Sequence, residues 1–231
     1  MKSPPEDPGA LRICEVFESL AGETTFAGLP AVFVRLSGCN LRCRWCDTSR
    51  AWEGGELVPV DEIVRTVAAR GRELVVVTGG EPLLQAGTPG LCQKLCTLGA
   101  RVLVETNGSL DISTLPDGVR VILDMKPPSS GESQRMDEAN LPRLRARDEL
   151  KIVIADEADF RWALELLDRH PGLPTDRLLF SPLSPGLPPS SLADWILTAK
   201  RSIRLQLQLH KILWPDGRDG FPILDVGEGS K

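Results

Sequence analysis

The chain has 231 residues, of which 42% are hydrophobic and 26% are charged, and its formal net charge is −5. This composition can bury one sizeable core, and the acidic balance argues against a general nucleic-acid binder, which needs a basic surface. We expect a cytoplasmic protein with no nucleic-acid or membrane partner, because no apolar run reaches the ~20 residues of a membrane helix and the N-terminus lacks the basic and apolar segments of a secretory signal.

The apolar pattern alternates between two periods from residue 31 onwards. Short β-branched or continuous apolar runs predict strands at 31–37, 73–78, 101–105, 119–125, 150–154 and 177–180. Apolar residues spaced three and four apart predict helices at 60–70, 91–98, 159–170 and 191–200. An alternating run at 205–212 predicts a last strand. Helices placed between apolar strands indicate βαβ units and therefore a parallel sheet.

The number of predicted units is too small for a closed barrel. A complete eightfold barrel takes ~250 residues, whereas here a polar stretch at 127–148 and irregular ends occupy part of the chain. We therefore expect an α/β fold, an incomplete (open) TIM-like barrel of about six parallel strands. A single domain over residues 11–214 would form it, with flexible or irregular ends at 1–10 and 215–231.

Three of the six cysteines are clustered, at Cys39, Cys43 and Cys46, directly after the predicted strand 31–37. Loops that follow the strands of a parallel barrel lie at its C-terminal face, where active sites gather. Three thiolates at this spacing can converge on a cubic iron–sulfur cluster, which usually takes four cysteines, so that one iron stays open to another ligand. Cys92 and Cys96 share one face of a predicted helix, where buried thiols are favoured over a second metal site.

Two other interpretations of the cysteine cluster compete with the iron–sulfur site. A structural zinc ion needs four protein ligands, and the two histidines, His170 and His210, are distant in sequence. His210 could still supply the fourth ligand if the chain folded back on the cysteine loop. A zinc-stabilised binding module is therefore the non-enzymatic alternative. The second interpretation is that the three cysteines are buried and bind nothing. It is disfavoured because Arg42 and Arg44 lie between the cysteines in sequence and would suit an anionic cluster or its electron donor.

These residues resemble a known family. The sequence CNLRCRWC at 39–46 has the CxxxCxxC spacing of radical S-adenosylmethionine (SAM) enzymes, and TGGEP at 78–82 resembles their SAM-binding GGEP motif. Residues 15–48 are similar to the N-terminal region of 7-carboxy-7-deazaguanine synthases. The segments ETNG at 105–108, KPPSSG at 126–131 and LHKILW at 209–214 resemble the same family.

The resemblance implies a radical SAM core and a definite lyase reaction. A reduced 4Fe-4S cluster would cleave SAM, and the resulting radical would abstract hydrogen from 6-carboxy-5,6,7,8-tetrahydropterin. Ring contraction with loss of ammonia would then give 7-carboxy-7-deazaguanine, a precursor in queuosine and 7-deazapurine biosynthesis. The resemblance also implies a Mg²⁺ ion, a flavodoxin- or ferredoxin-like electron donor and a homodimer.

The resemblance further assigns residues to each ligand. The catalytic set is the cluster ligands Cys39, Cys43 and Cys46 together with Glu105, and Thr48 is implied as the Mg²⁺ ligand. The implied SAM contacts are Trp45, Cys46, Asp47, Gly79, Gly80, Glu81 and Lys126. The implied substrate contacts are Leu20, Ala21, Gly22, Glu23, Arg35, Thr78 and His210.

Several of these residues have plainer interpretations when the resemblance is set aside. Thr48 would then cap a following turn, Arg35 would form a surface salt bridge, and His210 would be a half-buried strand residue. The chain also departs from the family at two positions of the pterin-binding loop. Ala21 stands where many relatives have glutamine, and Thr24 stands where many have glycine.

A different radical SAM activity is the closest competing function. A glycyl-radical-enzyme activase combines a short chain with the same cysteine spacing. Such an activase acts on a large protein partner, and it has no need for Arg35 or for a Mg²⁺-positioning Thr48. Formation of product from carboxytetrahydropterin would separate the two functions.

Overall fold

The computed structural model describes residues 8–173, 175–215 and 220–224. Its strands are β1 (Ala10–Leu20), β2 (Pro30–Leu36), β3 (Glu56–Pro59), β4 (Leu74–Gly79), β5 (Arg101–Thr106), β6 (Arg120–Met125), β7 (Glu149–Ile154), β8 (Leu178–Pro182), β9 (Arg204–Leu205) and β10 (Phe221–Leu224). Its helices are α1 (Val60–Ala68), α2 (Thr88–Thr97), α3 (Glu157–Arg169), α4 (Pro189–Thr198) and α5 (Leu209–Leu213). None of the helices in these ranges is long and apolar enough to cross a membrane.

The strands form one sheet in the order β10-β1-β2-β4-β5-β6-β7-β8-β9, with β3 paired to β1. All neighbours from β2 to β9 are parallel. Within the described residues the sheet ends at β10 on one side and at β9 on the other, and these two edge strands do not pair. The barrel is therefore open. The expected fold class is therefore confirmed, since β2 and β4 to β8 are the predicted parallel strands.

The alternation of side chains along these strands separates two layers. Outward residues such as Val75, Val102 and Val121 pack with the helices in the main core. Inward residues at the amino ends of the strands, such as Val76 and Leu103, form a smaller apolar cluster inside the barrel. Polar side chains occupy the same inward face nearer the carboxyl ends, because successive residues of a strand point to opposite faces. These inward polar residues are Arg35, Thr78, Glu105, Asp124 and Lys151.

The antiparallel strand β1 was not among the predicted elements, although it is the longest strand of the sheet. Its pairing with β2 shifts register between Ile13 and Glu15, and its pairing with β10 shifts between Val16 and Phe17. Each shift breaks the two-residue alternation, which hides the strand from a periodicity search. Ala10 begins this strand, and Phe221–Leu224 pair with it, although most of the predicted ends at 1–10 and 215–231 lies outside the described residues.

The predicted strand over 205–212 is wrong. Only Arg204–Leu205 is a strand, and the short helix α5 begins at Leu209. The alternate polar residues Gln206 and Gln208 bond to the loop between β1 and β2, and the Leu209 N–H donates to the Gly22 carbonyl at 2.8 Å. His210 therefore lies on a helix rather than on a strand.

Candidate active site

A cavity of about 380 Å³ lies at the carboxyl ends of the parallel strands. It is the place where the ends of β2, β4, β5, β6 and β7 meet, as expected for a parallel barrel. With one exception, described below, the residues implied by the resemblance all contribute to its wall. Residues that are far apart in sequence, from Leu20 to His210, thus face one space.

The cysteine loop follows β2 and is tied to its surroundings by backbone hydrogen bonds. Gly38 N donates to Ala51 O at 2.9 Å, and Arg44 N donates to Ser130 O at 3.0 Å. The first bond closes the loop on itself, and the second holds it against the KPPSSG segment at 126–131. Cys39, Cys43 and Cys46 are free, partly buried and on the cavity wall.

The two arginines between the cysteines do not face the cavity. The Arg42 guanidinium donates to the carbonyls of Cys39 and Leu41, at 2.8 and 2.9 Å, and lies over the Trp52 ring. Arg44 is exposed. Arg42 braces the loop backbone, which does not support a role beside an anionic cluster, and contact of exposed Arg44 with an electron donor stays a prediction.

The three thiols suit an iron–sulfur cluster. Burial raises the pKa of the Cys43 thiol to about 11 and also raises that of Cys39, so binding of a metal would have to displace the protons. Leu41 N lies 3.4 Å and Asn107 Nδ2 lies 3.9 Å from the Cys39 sulfur, and both donate to it. N–H donors around a ligand sulfur are a feature of protein-bound iron–sulfur clusters.

The same geometry disfavours the zinc alternative. No three His, Cys, Asp or Glu side chains among the described residues are placed to hold a single metal ion. A tetrahedral zinc site needs its ligands to converge on one atom, whereas a cubic cluster binds each thiolate at a different corner. His210 reaches the cavity wall but does not complete such a site.

Two glycines join the end of β4 to the cysteine loop. A Cβ atom on Gly79 would lie 2.1 Å from Leu36 O, and one on Gly80 would lie 2.2 Å from Gly38 O. Gly79 also has a φ of 138°, in the region that favours glycine. The two residues therefore allow close packing of two backbone segments, and both remain on the cavity wall.

Trp45 and Lys126 form the part of the wall opposite these glycines. The Trp45 indole donates to Ser129 Oγ at 3.2 Å, and the Lys126 ammonium lies 5.6 Å from the ring centroid. Burial alone would lower the pKa of Lys126, but the charges of Asp124 and Cys43 raise it. Lys126 is therefore a cation inside the cavity rather than a residue that only neutralises the sheet edge.

Glu81 is the exception among the implied site residues, because it lies behind the cavity wall. It is fully buried, and its carboxylate accepts hydrogen bonds from Leu83 N, Thr106 Oγ1 and Asn107 N. These bonds cap the turn after β4 and connect it to the end of β5. Here the Glu81 side chain holds Asn107 beside Cys39, and its contact with SAM stays a prediction.

Two charged residues on the inner face, Asp124 and Lys151, were missed from the sequence. Lys151 forms ion pairs with Glu23 and with Asp124, whose Oδ2 lies 3.1 Å from the Lys151 Nζ. Burial would lower the pKa of Lys151, but Asp124 and Glu23 raise it well above its usual value. A charge inside an otherwise apolar strand was the available signal, since such a residue points into the barrel when its neighbours face the helices.

Glu105 lies at the centre of this inner face. Its carboxyl accepts a 2.7 Å hydrogen bond from the Thr78 hydroxyl. Burial and then the negative charge of Glu23 raise the pKa of Glu105, with Lys151 acting in the opposite direction. The Glu105 carboxyl, beside the ion pair of Glu23 and Lys151, is therefore easier to protonate than a carboxyl in water.

The loop between β1 and β2 closes one side of the cavity. Gly22 packs so closely on His210 that a Cβ there would lie 2.1 Å from the imidazole Nδ1. Glu23 accepts a 2.6 Å hydrogen bond from Gln208 Nε2. Burial lowers the pKa of His210, which favours the neutral imidazole at this position. Leu20 and Ala21 complete this part of the wall.

Arg35 and Thr48 lie at the mouth of the cavity. The Arg35 Nε donates to Glu15 Oε1 at 2.6 Å, and the guanidinium lies over the Phe17 ring. Thr48 precedes a short turn at 49–51 but makes no side-chain capping bond there, and its hydroxyl donates to Asp47 at 3.0 Å. The plainer interpretation of Thr48 as a helix cap is therefore not supported. Asp47 pairs with Lys211 at 3.0 Å.

Comparisons with known proteins agree with this geometry. The radical SAM superfamily model matches residues 33–130. A 7-carboxy-7-deazaguanine synthase from Chlorobaculum tepidum is 44% identical over 212 residues, spanning 90% of this chain and 96% of that protein. A protein of the same name from Koribacter versatilis is 39% identical over 222 residues, spanning 88% and 97%. The crystal structure of QueE from Escherichia coli has a TM-score of 0.70 at 25% identity, covering 87% of this chain and 95% of that one.

Proposed function

Because the chain belongs to the 7-carboxy-7-deazaguanine synthase family of radical SAM enzymes, we propose that this cavity converts 6-carboxy-5,6,7,8-tetrahydropterin to 7-carboxy-7-deazaguanine with loss of ammonia. The observation that carries the proposal is the convergence of the three cysteines with Arg35 and Glu23 on one cavity. A glycyl-radical-enzyme activase would act on a protein, and the curated relatives do not carry that name.

The cofactors are a 4Fe-4S cluster and SAM, as in the superfamily. Cys39, Cys43 and Cys46 would hold the cluster, and Trp45, Gly79, Gly80 and Lys126 would contact SAM. When bound, these groups supply the one-electron chemistry that removes a hydrogen atom from the substrate. The protein contributes a cavity bounded by the strand ends, whose walls limit the access of water to that chemistry.

Substrate binding is assigned to the opposite side of the cavity. The Arg35 guanidinium, held in place by Glu15, suits the substrate carboxylate because its planar fork matches two oxygens. Glu23 would accept hydrogen bonds from the aminopyrimidine edge of the pterin, with Lys151 and Gln208 fixing its two oxygens. Neutral His210 would line the same pocket from α5.

Glu105 would act on the reacting ring. Its carboxyl, oriented by Thr78, lies at the centre of the cavity, where a raised pKa helps it to keep a proton that it can donate to a ring nitrogen and later take back. Thr48 would bind a Mg²⁺ ion at the mouth of the cavity, since Mg²⁺ keeps few protein ligands beside substrate oxygens and water. Its exposed neighbour Asp47 is engaged by Lys211.

Three further features of the enzyme belong to the same proposal. A flavodoxin- or ferredoxin-like donor would deliver the electron near the cysteine loop, where exposed Arg44 offers a positive contact. A homodimer would cover a sheet edge such as β10, whose Phe221 is 65% exposed. A cytoplasmic location suits the free cysteines, which a reducing compartment keeps as thiols.

An anaerobic assay tests the proposed function directly. The protein with reconstituted cluster is incubated with SAM, a reductant, Mg²⁺ and carboxytetrahydropterin, and 7-carboxy-7-deazaguanine is measured by mass spectrometry. Product should accumulate with turnover and should depend on all four additions. SAM cleavage without any pterin product would contradict the assignment and would favour another radical SAM activity.

A further inference from the structure

Thr24 occupies a strained backbone conformation at the cavity wall. Its φ is 70°, and Thr24 and Lys200 are the non-glycine residues with positive φ among those the structure describes. The left-handed region is unfavourable for a β-branched residue, so surrounding contacts must hold it there. Thr24 is also buried, with 4% of its surface exposed.

The side chain of Gln206 bonds to both polar groups of the Thr24 backbone, and Ala27 N also donates to Thr24 O at 3.3 Å. Thr24 N donates to Gln206 Oε1 at 2.6 Å, and Gln206 Nε2 donates back to Thr24 O at 3.3 Å. Gln206 is itself 5% exposed and is not part of the cavity wall. Its amide therefore bonds to both the N–H and the C=O of Thr24, across 182 positions of sequence.

Neighbouring contacts transmit this arrangement to the cavity. Glu23 directly precedes Thr24, so the φ and ψ of Thr24 set the direction in which the loop leaves Glu23. Leu209 N donates to Gly22 O and Gln208 Nε2 donates to Glu23, so three successive loop residues are bonded by the segment 206–209. On the other side, the Thr25 hydroxyl donates to buried Glu149 at 2.5 Å.

We propose that Gln206 is a positioning residue for substrate binding, which holds Thr24 in its left-handed conformation and thereby presents Gly22 and Glu23 to the pterin. This inference rests on the proposed role of the loop in binding the pterin. Gln206 bonds to both polar backbone groups of Thr24, the positive-φ residue next to Glu23, so the direction of the loop at Glu23 depends on this side chain. The segment 206–209 is then part of the substrate site, although Gln206 touches no substrate.

The test uses Gln206→Met, which keeps the length of the side chain and removes both hydrogen bonds. The KM for the pterin should rise at least about fivefold, a change of about 1 kcal/mol, since both hydrogen bonds from this side chain to Thr24 are lost. The rate of SAM cleavage without pterin should stay within about twofold of wild type, because that chemistry uses the cysteine side of the cavity. Gln93→Met on exposed α2 is the matched control.

A second variant separates strain from general damage. Thr24→Gly adopts the left-handed conformation without a side-chain penalty, so Gln206→Met should raise KM by a smaller factor in the Thr24→Gly background. If Gln206→Met does not fold, Gln206→Glu keeps the acceptor for Thr24 N and is used in the same pair of backgrounds. An unchanged pterin KM, or an equal effect in both backgrounds, overturns the inference. Absence of product from the wild-type enzyme would instead overturn the proposed function.

Discussion

Lys151 and Asp124 lie side by side on adjacent strands inside the barrel, with the Lys151 Nζ 3.1 Å from Asp124 Oδ2. The register of β6 and β7 pairs these two residues directly. The same ammonium forms an ion pair with Glu23, so one buried cation connects the sheet to the loop that is proposed to bind substrate. Removing one partner from such a buried group leaves an uncompensated charge.

Lys151→Met should therefore damage both stability and substrate binding. We expect a loss of about 3 kcal/mol in the free energy of unfolding, because Glu23 would stay buried without its cation, while Asp124 would keep only its 3.1 Å ion pair with Lys126. The kcat/KM for the pterin should fall at least about 100-fold. Urea denaturation and steady-state kinetics measure the two effects. Lys94→Met, at an exposed ion pair with Asp61, should change stability by less than about 0.5 kcal/mol.

Cys43→Ala should abolish cluster binding. Two remaining thiolates cannot hold the cluster firmly, so anaerobically reconstituted protein should contain little iron and should not cleave SAM. Cys96→Ala is the control, because Cys96 packs beside the main core on α2, away from the cavity. Iron content and 5′-deoxyadenosine formation are measured for both. Full iron loading of Cys43→Ala would contradict the assigned ligand set.

Thr48→Ala should weaken the response to Mg²⁺. The hydroxyl is the proposed protein ligand, so the Mg²⁺ concentration for half-maximal activity should rise about tenfold while SAM cleavage without substrate is retained. Ser49→Ala removes a hydroxyl from the next residue, which is exposed, and should behave as wild type. An unchanged Mg²⁺ titration would remove Thr48 from the site.

Glu105→Gln should abolish product formation while keeping the fold. Because the folded pKa of Glu105 is raised, the folded state holds its proton more tightly than the unfolded chain does. Its contribution to stability is complete below the unfolded value of about 4.3 and is lost as pH rises. The neutral glutamine has no such dependence, so the stability of the variant should increase relative to wild type as pH rises above about 4.3. Denaturation at several pH values measures the difference in the free energy of unfolding between variant and wild type. A difference that decreases as pH rises would contradict the prediction.

Gly22→Ala should open the contact between the substrate loop and α5. The added Cβ would meet the His210 imidazole at 2.1 Å, so either the helix or the loop must move. We expect the pterin KM to rise at least about tenfold and stability to fall by about 1–3 kcal/mol. Gly90→Ala, in α2 with open space around the new Cβ, should keep activity and gain up to about 1 kcal/mol. Equal behaviour of the two variants would show that the Gly22 contact is unimportant.

The parallel strands and their helices follow from local patterns. The run at 73–78 predicts β4 closely because every residue between Leu74 and Thr78 is apolar or small and buried on both faces. The cysteine spacing likewise indicates the cluster, because the ligands come from one short loop. The strand β1 escaped prediction because two register shifts interrupt its alternation.

Sequence alone thus determined which residues form the open parallel barrel and which loop carries the thiols, since both are properties of neighbouring residues. Tertiary structure decided that Glu81 lies behind the wall, that Asp124 meets Lys151, and that Gln206 reaches Thr24. Those relationships depend on strand order and register across large separations in the chain. A local periodicity shows which face a side chain takes, whereas the fold decides what that face meets.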